Sequence, residues 1–347
     1  MAAGEDLKVQ VMMVGGRRCG KTSILAAMKS NFEEQFAKTR LTVSFGDLDT
    51  LEVLEAKNNE IADYFLGAKS RTFSPDSNPT EDMMRYTVSI GIAEKRGKIK
   101  VDFVDYPGEW LTDKEHKNDL LDCMKNTQAV IVAIDTPHLM EEDGRFNEYR
   151  NFCRRTGEML KMALEETPAA RRLILFVPLK CERYLNDEKM EEVCAKTEES
   201  YVELIRYLAR SQKKSEVAVT PIFTLGGAEF SHFERDKQTG EIKINEKYHT
   251  PEKAVYCFPD ITVKKPEPKY CEQPIVYLLA YLMQLAGDKK SNQYDTVNIW
   301  GKFGIRFQEW FLHTISASDY LTQKSVVLQR LKKQDDGYHI VQNPMKF

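Results

Sequence analysis

No apolar run in these 347 residues approaches the roughly 20 needed to cross a membrane, so no membrane span is expected. A charge excess is lacking too. Fifty Lys and Arg stand against 53 Asp and Glu, a net of −3 that gives no bias toward nucleic acid or acidic lipid. The seven cysteines are odd in number and include no Cys-x-x-Cys pair, which suits reduced thiols in a cytosol better than a disulfide framework. Met1–Leu7 (MAAGEDL) is too acidic and short for a signal peptide, and a cytoplasmic location is expected. Internal repeats and low-complexity tracts are also missing. What remains, 42% hydrophobic and 30% charged residues, describes a soluble globular protein. The length allows one large domain with additions, or two domains.

The apolar residues that are present fall into strands and helices in alternation. Lys8–Val14 becomes wholly apolar, as a buried parallel strand does, and Lys21–Phe32 carries Ile24, Leu25, Met28 and Phe32 at helical spacing. Ile99–Asp105, Ala129–Asp135, Leu173–Val177 and Val217–Thr224 read as further strands, with Met84–Ile92 another strand-like stretch. Long helical patterns cover Phe146–Glu165 and Glu188–Ser211. This alternation predicts an α/β fold with a mostly parallel sheet covered by helices on both faces. Two segments interrupt it. The stretch 33–79 reads as a helical insertion, with a helix near Asp47–Phe65. Ala228–Pro274 is polar and lysine-rich, with a hairpin predicted near Asp236–Ile244; a helix over Pro274–Ala286 follows. A stripe of Trp300, Phe303, Phe307, Trp310 and Phe311 then reads as one packed helix face. The expected division is a domain over 1–227 and an insert plus C-terminal helical extension over 228–347, packed on it.

Between the first strand and helix, Gly15-Gly16-Arg17-Arg18-Cys19-Gly20-Lys21-Thr22 matches the P-loop pattern in full. A polyphosphate needs several backbone N–H groups pointing into one concavity, which calls for glycine dihedrals and no side chain in the way. Lys21 supplies a point charge for the β- and γ-phosphates. Thr22 offers a hydroxyl to Mg²⁺, and the helix that runs on through Ser23 presents its positive end to the anion. Arg18, with Arg17, reads either as a phosphate or partner contact or as an exposed loop arginine. Cys19 sits inside the loop, where its oxidation or alkylation would block nucleotide.

A second acid is expected at the tip of a neighbouring strand. Asp105, in Asp105-Tyr106-Pro107-Gly108-Glu109-Trp110, stands there. The Gly108 N–H of this Asp-x-x-Gly run is positioned to bond a γ-phosphate, so that the loop orders with that phosphate and relaxes after its loss.

With these motifs the chain resembles the Ras-like, translation-factor-related P-loop GTPases over about Leu7–Gly227. The wording DYPGEWL, VAIDTP and TPIFTLGG looks more narrowly like bacterial GTPases of the double-GTPase type. The resemblance implies a P-loop three-layer sandwich that binds GTP and GDP with Mg²⁺, hydrolyses GTP and acts as a switch. Gly15, Gly20, Lys21 and Thr22 would form the phosphate loop, Asp105 the metal-associated acid and Gly108 the γ-phosphate sensor. For the switch threonine over Mg²⁺ the choice is Thr80, with Thr72 as rival.

The family pattern bends in places. Glu109 stands where many relatives have a water-orienting glutamine; a carboxylate there either holds water and takes its proton or repels the γ-phosphate and slows hydrolysis. The guanine-reading Asn/Thr-Lys-x-Asp becomes Leu179-Lys180-Cys181-Glu182. Lys180 aligns with the lysine covering the base, and Glu182 replaces the aspartate that accepts from guanine N1 and N2, but the amide is lost at Leu179. Gly226, in Thr224-Leu225-Gly226-Gly227, fits a close backbone approach to the purine. Arg71, before the expected switch, is a candidate transition-state arginine in cis, against a solvent-facing arginine. An ATPase on the same scaffold and a nucleotide-bound interaction module with negligible hydrolysis stay open as alternatives. A protein effector or regulator is expected, and no nucleic-acid groove. His232, His249, Cys257 and Cys271 share the C-terminal insert, but their gaps fit none of the usual zinc pairs.

Overall fold

The computed structural model describes residues 7–36, 41–66, 72–75, 82–92, 98–167, 171–210, 215–260, 262–287, 325, 327 and 339–342. Along the chain, β1 (Leu7–Val14) leads through the glycine loop into α1 (Lys21–Phe36), followed by β2 (Leu41–Phe45), α2 (Leu48–Leu66) and the short β3 (Thr72–Phe73). Then come β4 (Met84–Ile92), β5 (Lys98–Asp105), α3 (Lys117–Asn126), β6 (Ala129–Asp135), α4 (Thr136–Met140), α5 (Asn147–Asn151) and α6 (Cys153–Glu166). The next stretch holds β7 (Leu173–Leu179), α7 (Glu182–Asn186), α8 (Met190–Ser200), α9 (Val202–Arg210) and β8 (Glu216–Val219). The last described elements are β9 (Glu229–Phe233), β10 (Ile244–Asn245), β11 (Thr250–Pro251), β12 (Ala254–Cys257), α10 (Gln273–Gly287) and β13 (His339–Gln342).

Eight of these strands form one sheet in the order β13-β8-β7-β6-β1-β5-β4-β2. The central pairs β8–β7, β7–β6, β6–β1 and β1–β5 are parallel, and the pairs at both edges are antiparallel. Helices cover both faces, which is why β6 and β7 are buried along their whole length and apolar throughout except for Asp135 at the tip of β6. One face packs on α1 and α10, the other on α3, α6 and α9. In α10, Ile275 to Met283 are all buried, consistent with a helix apolar on every side. Its Tyr281 hydroxyl donates to the Arg171 carbonyl at 2.6 Å.

Four expectations need adjustment. The stretch read as a helical insertion contains α2, but it also contributes β2, whose residues pair antiparallel with β4 from Leu41↔Ile92 to Phe45↔Val88. LTVSF alternates apolar and polar residues, and Val43 and Phe45 lean on the core. The helix expected over Phe146–Glu165 is broken at Phe152, whose φ of 50° ends α5 and starts α6. The helix expected over Glu188–Ser211 is likewise split, at Tyr201. The strand expected to run on to Thr224 is regular only to Val219; beyond it Thr220 N and Ile222 N still donate to the Phe176 and Pro178 carbonyls of β7, with a bridge at Leu179↔Ile222. The aromatic stripe from Trp300 to Phe311 lies outside the described residues.

The polar insert after Gly227 folds back over the sheet's C-terminal edge. Strands β3, β12 and β9 make a small antiparallel sheet. Its Phe73, Tyr256, Phe230 and Phe233 pack with Ile61 and Phe65 of α2, Phe146 and Leu225. The helix of the first interruption and the strands of the second therefore share one core, which roofs the site described next. Among the described residues, no helix is long and apolar enough to cross a membrane.

Candidate functional site

A cavity of about 290 Å³ opens beyond the C-terminal ends of β1, β5, β6 and β7, the edge where open α/β sheets collect ligands. Its floor is the glycine loop. Gly20 has φ +107° and Arg18 φ 57°, so the chain turns through left-handed backbone twice before α1. Two close approaches explain the other glycines. A Cβ on Gly16 would stand 1.9 Å from the Arg150 carbonyl oxygen, and one on Gly108 would stand 2.2 Å from Arg17 N. The loop after β5 thus lies directly on the phosphate loop.

Lys21 begins α1, is buried, and donates to the carbonyls of Gly15 at 3.2 Å and Gly16 at 3.4 Å. Its Nζ is 3.7 Å from Asp105 Oδ1. The Thr22 hydroxyl donates to Asp105 Oδ2 at 2.9 Å. Asp105 is wholly buried and its Oδ1 accepts no hydrogen bond. Burial pushes this carboxyl up, against the pull of Lys21 and Thr22. Cys19 and Ser23 also line the cavity, Cys19 with its thiol fully buried.

Glu109 is held outside the cavity floor. Its Oε1 accepts from Arg17 Nη1 at 3.0 Å and from the Tyr248 hydroxyl at 2.8 Å, while Arg17 also donates to that hydroxyl. The guanidinium lies 5.3 Å from the Tyr248 ring centroid. This cluster joins the phosphate loop, the loop after β5 and the C-terminal insert.

The other end of the cavity is built on Asp135, at the tip of β6 as Asp105 is at the tip of β5. Its carboxylate meets Lys180 Nζ at 2.7 Å, His138 Nδ1 at 2.6 Å and Arg150 Nε at 3.4 Å. Burial by itself raises this carboxyl, but the hydrogen bond from His138 and the charges of Lys180 and Arg150 hold it well below the usual range. Asn151 clasps the same strand tip: its side chain accepts from Asp135 N at 2.8 Å and donates to Asp135 O at 3.2 Å. The helix break at Phe152 follows directly on this clasp. Lys180, with φ 59°, also donates to the Arg18 carbonyl at 2.9 Å and so ties β7 to the phosphate loop.

Glu182 has partners that the sequence does not reveal. Its Oε1 accepts from Leu225 N at 2.9 Å and Gly226 N at 3.3 Å, while the buried Oε2 has no hydrogen-bond partner among the described residues. Burial raises this carboxyl, against those backbone donors. Gly226 has φ +68° and a Cβ there would be 1.9 Å from the Glu267 carbonyl oxygen, so glycine is required.

Of the residues singled out from sequence, Arg18, Cys19, Gly20, Lys21, Thr22, Ser23, Gly108 and Lys180 line one cavity, and Asp105 lies beneath it. Gly15 carries the carbonyl that Lys21 holds; Glu182 and Gly226 back the far end. Arg71 and Thr80 lie outside the described residues. Thr72, the rival, pairs with Cys257 in the small sheet, and the lining there is Ser74 and Pro75. Sequence reasoning missed Asp135, His138, Arg150, Tyr248 and Tyr256. Only Asp135 carried a signal, an acid ending a wholly apolar strand.

A family model described as Double-GTPase 2 matches residues 10–225. No curated protein matches the chain. Among solved structures, the chain is similar to the Ski7 GTPase-like domain of S. cerevisiae bound to GTP. The identity is 12%, the coverage 72% of this chain and 48% of that one, and the TM-score 0.38. The same domain bound to GDP and inorganic phosphate matches at 12% identity and the same coverages, with a TM-score of 0.36. The chain spans about half the length of these structures.

Proposed function

The chain belongs to the Double-GTPase 2 family, and from that premise we propose that it binds GTP and GDP with Mg²⁺, hydrolyses GTP, and works as a nucleotide-dependent switch. The observation that carries this is the buried contact of Lys21 and Thr22 with Asp105 beneath the glycine loop. In that arrangement Lys21 can exchange loop carbonyls for phosphate oxygens, and backbone N–H groups of the loop donate to the remaining phosphate oxygens.

Oxygen donors are what Mg²⁺ takes, and the Asp105 Oδ1, which accepts no hydrogen bond from the described residues, fits it together with the Thr22 hydroxyl. Thr22 and Asp105 would hold the ion, with Thr80 a third ligand by its order in the sequence. When bound, Mg²⁺ supplies neutralisation of charge on the phosphate oxygens. Catalysis is then positioning: Lys21 stabilises the transferring phosphoryl group, Glu109 orients the attacking water, and Arg71 adds charge stabilisation. The Gly108 N–H senses the γ-phosphate from its seat on the loop, and an effector or regulator protein would read the Pro107–Trp110 segment.

Guanine preference rests on Glu182 with the Leu225 and Gly226 N–H groups. A guanine edge accepts at O6 and donates from N1 and N2, so it can insert between a carboxylate and N–H donors that now satisfy one another. Adenine offers the reverse pattern. A second reading, a binding module with negligible hydrolysis, is favoured by one feature: Glu109 is already engaged by Arg17 and Tyr248.

Phosphate release from GTP and Mg²⁺, with Lys21→Ala beside the wild type, tests the proposal. Release should fall at least about 100-fold in the variant. Equal release from both proteins would contradict it, and GTP binding without release above the variant would select the second reading.

A further inference from the structure

Two buried polar atoms in the cavity wall have no hydrogen-bond partner among the described residues, and neither belongs to the phosphate loop or its companion motifs. One is His138 Nε2, in a residue only 3% exposed; the other is the Tyr256 hydroxyl, in a residue 1% exposed. Both residues line the same cavity as Lys180, Thr224 and Leu225. Buried polar groups in native proteins are almost always hydrogen-bonded, so a pair of exceptions in one wall calls for a ligand.

The chemistry of each atom is fixed by its surroundings. Asp135 is ionised, flanked by Lys180 and Arg150, and an ionised carboxylate only accepts. The 2.6 Å contact from His138 Nδ1 therefore uses the Nδ1 proton. Burial holds the imidazole below its usual pKa, outweighing the pull of Asp135, so the ring is neutral and Nε2 presents a lone pair. Its position is set by Phe233, 4.9 Å away between centroids. Tyr256 is fixed by packing: its ring lies 5.8 Å from Phe73 and 5.9 Å from Phe230, on a strand paired on both sides. The ring would serve that packing equally well as phenylalanine. Its hydroxyl both donates and accepts.

We infer that His138 and Tyr256 form a second wall of the nucleoside end of the cavity and bond a purine nucleoside directly, His138 Nε2 accepting an N–H or O–H and the Tyr256 hydroxyl pairing beside it. This rests on the cavity being the nucleotide site. It makes the insert after Gly227, through Tyr256, part of the binding site rather than an appendage. Their companions at that end support the assignment: Lys180 joins Asp135 to the phosphate loop, and the Leu225 N–H donates to Glu182.

The test is calorimetric titration of the full chain with GDP, for wild type, Tyr256→Phe and His138→Asn. The second variant keeps an N–H for Asp135 and deletes the outer ring nitrogen. Each should weaken GDP binding about tenfold, the effect of losing one hydrogen bond. Because Tyr256→Phe also removes an unsatisfied buried hydroxyl, the melting temperature without nucleotide should stay level or rise. Wild-type binding of GDP with both variants within twofold would overturn the inference alone. So would a lowered melting temperature in Tyr256→Phe, or an equal loss of affinity for pyrophosphate, which has no nucleoside. A wild type that binds no purine nucleotide would overturn the proposed function, and this inference with it.

Discussion

The two ends of the cavity are built in opposite ways. At the phosphate end one loop, the first turn of α1 and the tip of β5 supply the groups, and those groups contact one another: Lys21 with loop carbonyls, Thr22 with Asp105, whose Oδ1 is left for the ion. At the nucleoside end the groups come from β6, α4, α5, the tip of β7, the loop after β8 and β12, and His138 Nε2, the Tyr256 hydroxyl and Glu182 Oε2 have no hydrogen-bond partner among the described residues. A polyphosphate is recognised by backbone N–H groups and one cation, which a short contiguous segment can provide. A nucleoside presents separate donors and acceptors on several edges, which no contiguous segment reaches.

The comparison can be broken most forcefully at Lys21. Lys21→Ala should cost at least about 100-fold in GDP affinity by calorimetry, because the buried cation at the phosphate end is lost. A loss no larger than that of Tyr256→Phe would erase the distinction between the ends. Lys180→Met attacks the other end through its scaffold. Asp135 would keep only Arg150 and His138, and breaking this buried pair should lower stability by about 2 kcal/mol in urea melts. An unchanged midpoint would mean that Lys180 does not hold Asp135 in solution.

Asp105→Asn sharpens the comparison through the metal. Mg²⁺ should strengthen GDP binding by about tenfold in the wild type and not in the variant, while affinities in EDTA agree within about twofold. Mg²⁺ dependence that survives the substitution would place the ion elsewhere. The smallest effect on affinity belongs to Glu109, which touches Arg17 and Tyr248 rather than the cavity floor. Glu109→Gln should leave GDP affinity within about twofold and lower the single-turnover hydrolysis rate by about tenfold or more. A change in affinity instead would make Glu109 a binding residue.

The same contrast explains what the sequence disclosed. Strands β6 and β7 are buried along their whole length and β1 and β5 toward their C-terminal ends, so their apolar runs end at the residues that matter, and Lys21, Thr22, Asp105 and Gly108 could be read from spacing alone. Strand β2 was hidden because it lies inside a stretch whose length suggested an insertion, and its five residues pair only with β4. The break at Phe152 left no periodic trace, since the helical pattern continues through it while Asn151 turns to clasp Asp135. Glu182 aligned with a base-reading acid, yet its backbone partners in the loop after β8 lie 43 and 44 residues away. Tyr256 is one tyrosine in a polar insert, and only the meeting of β12 with β3 and α2 brings it over the cavity.

The central claim is that this cavity takes a guanine nucleotide by its phosphates and reads its base. Side-by-side calorimetric titration with GDP and ADP in Mg²⁺ tests it most directly, with Lys21→Ala as the control. GDP should bind at least about 100-fold more tightly than ADP, as a site built to hydrogen-bond one edge rejects another, and the binding should collapse in the variant. ADP binding as tight as GDP, or GDP binding that survives Lys21→Ala, would contradict the account.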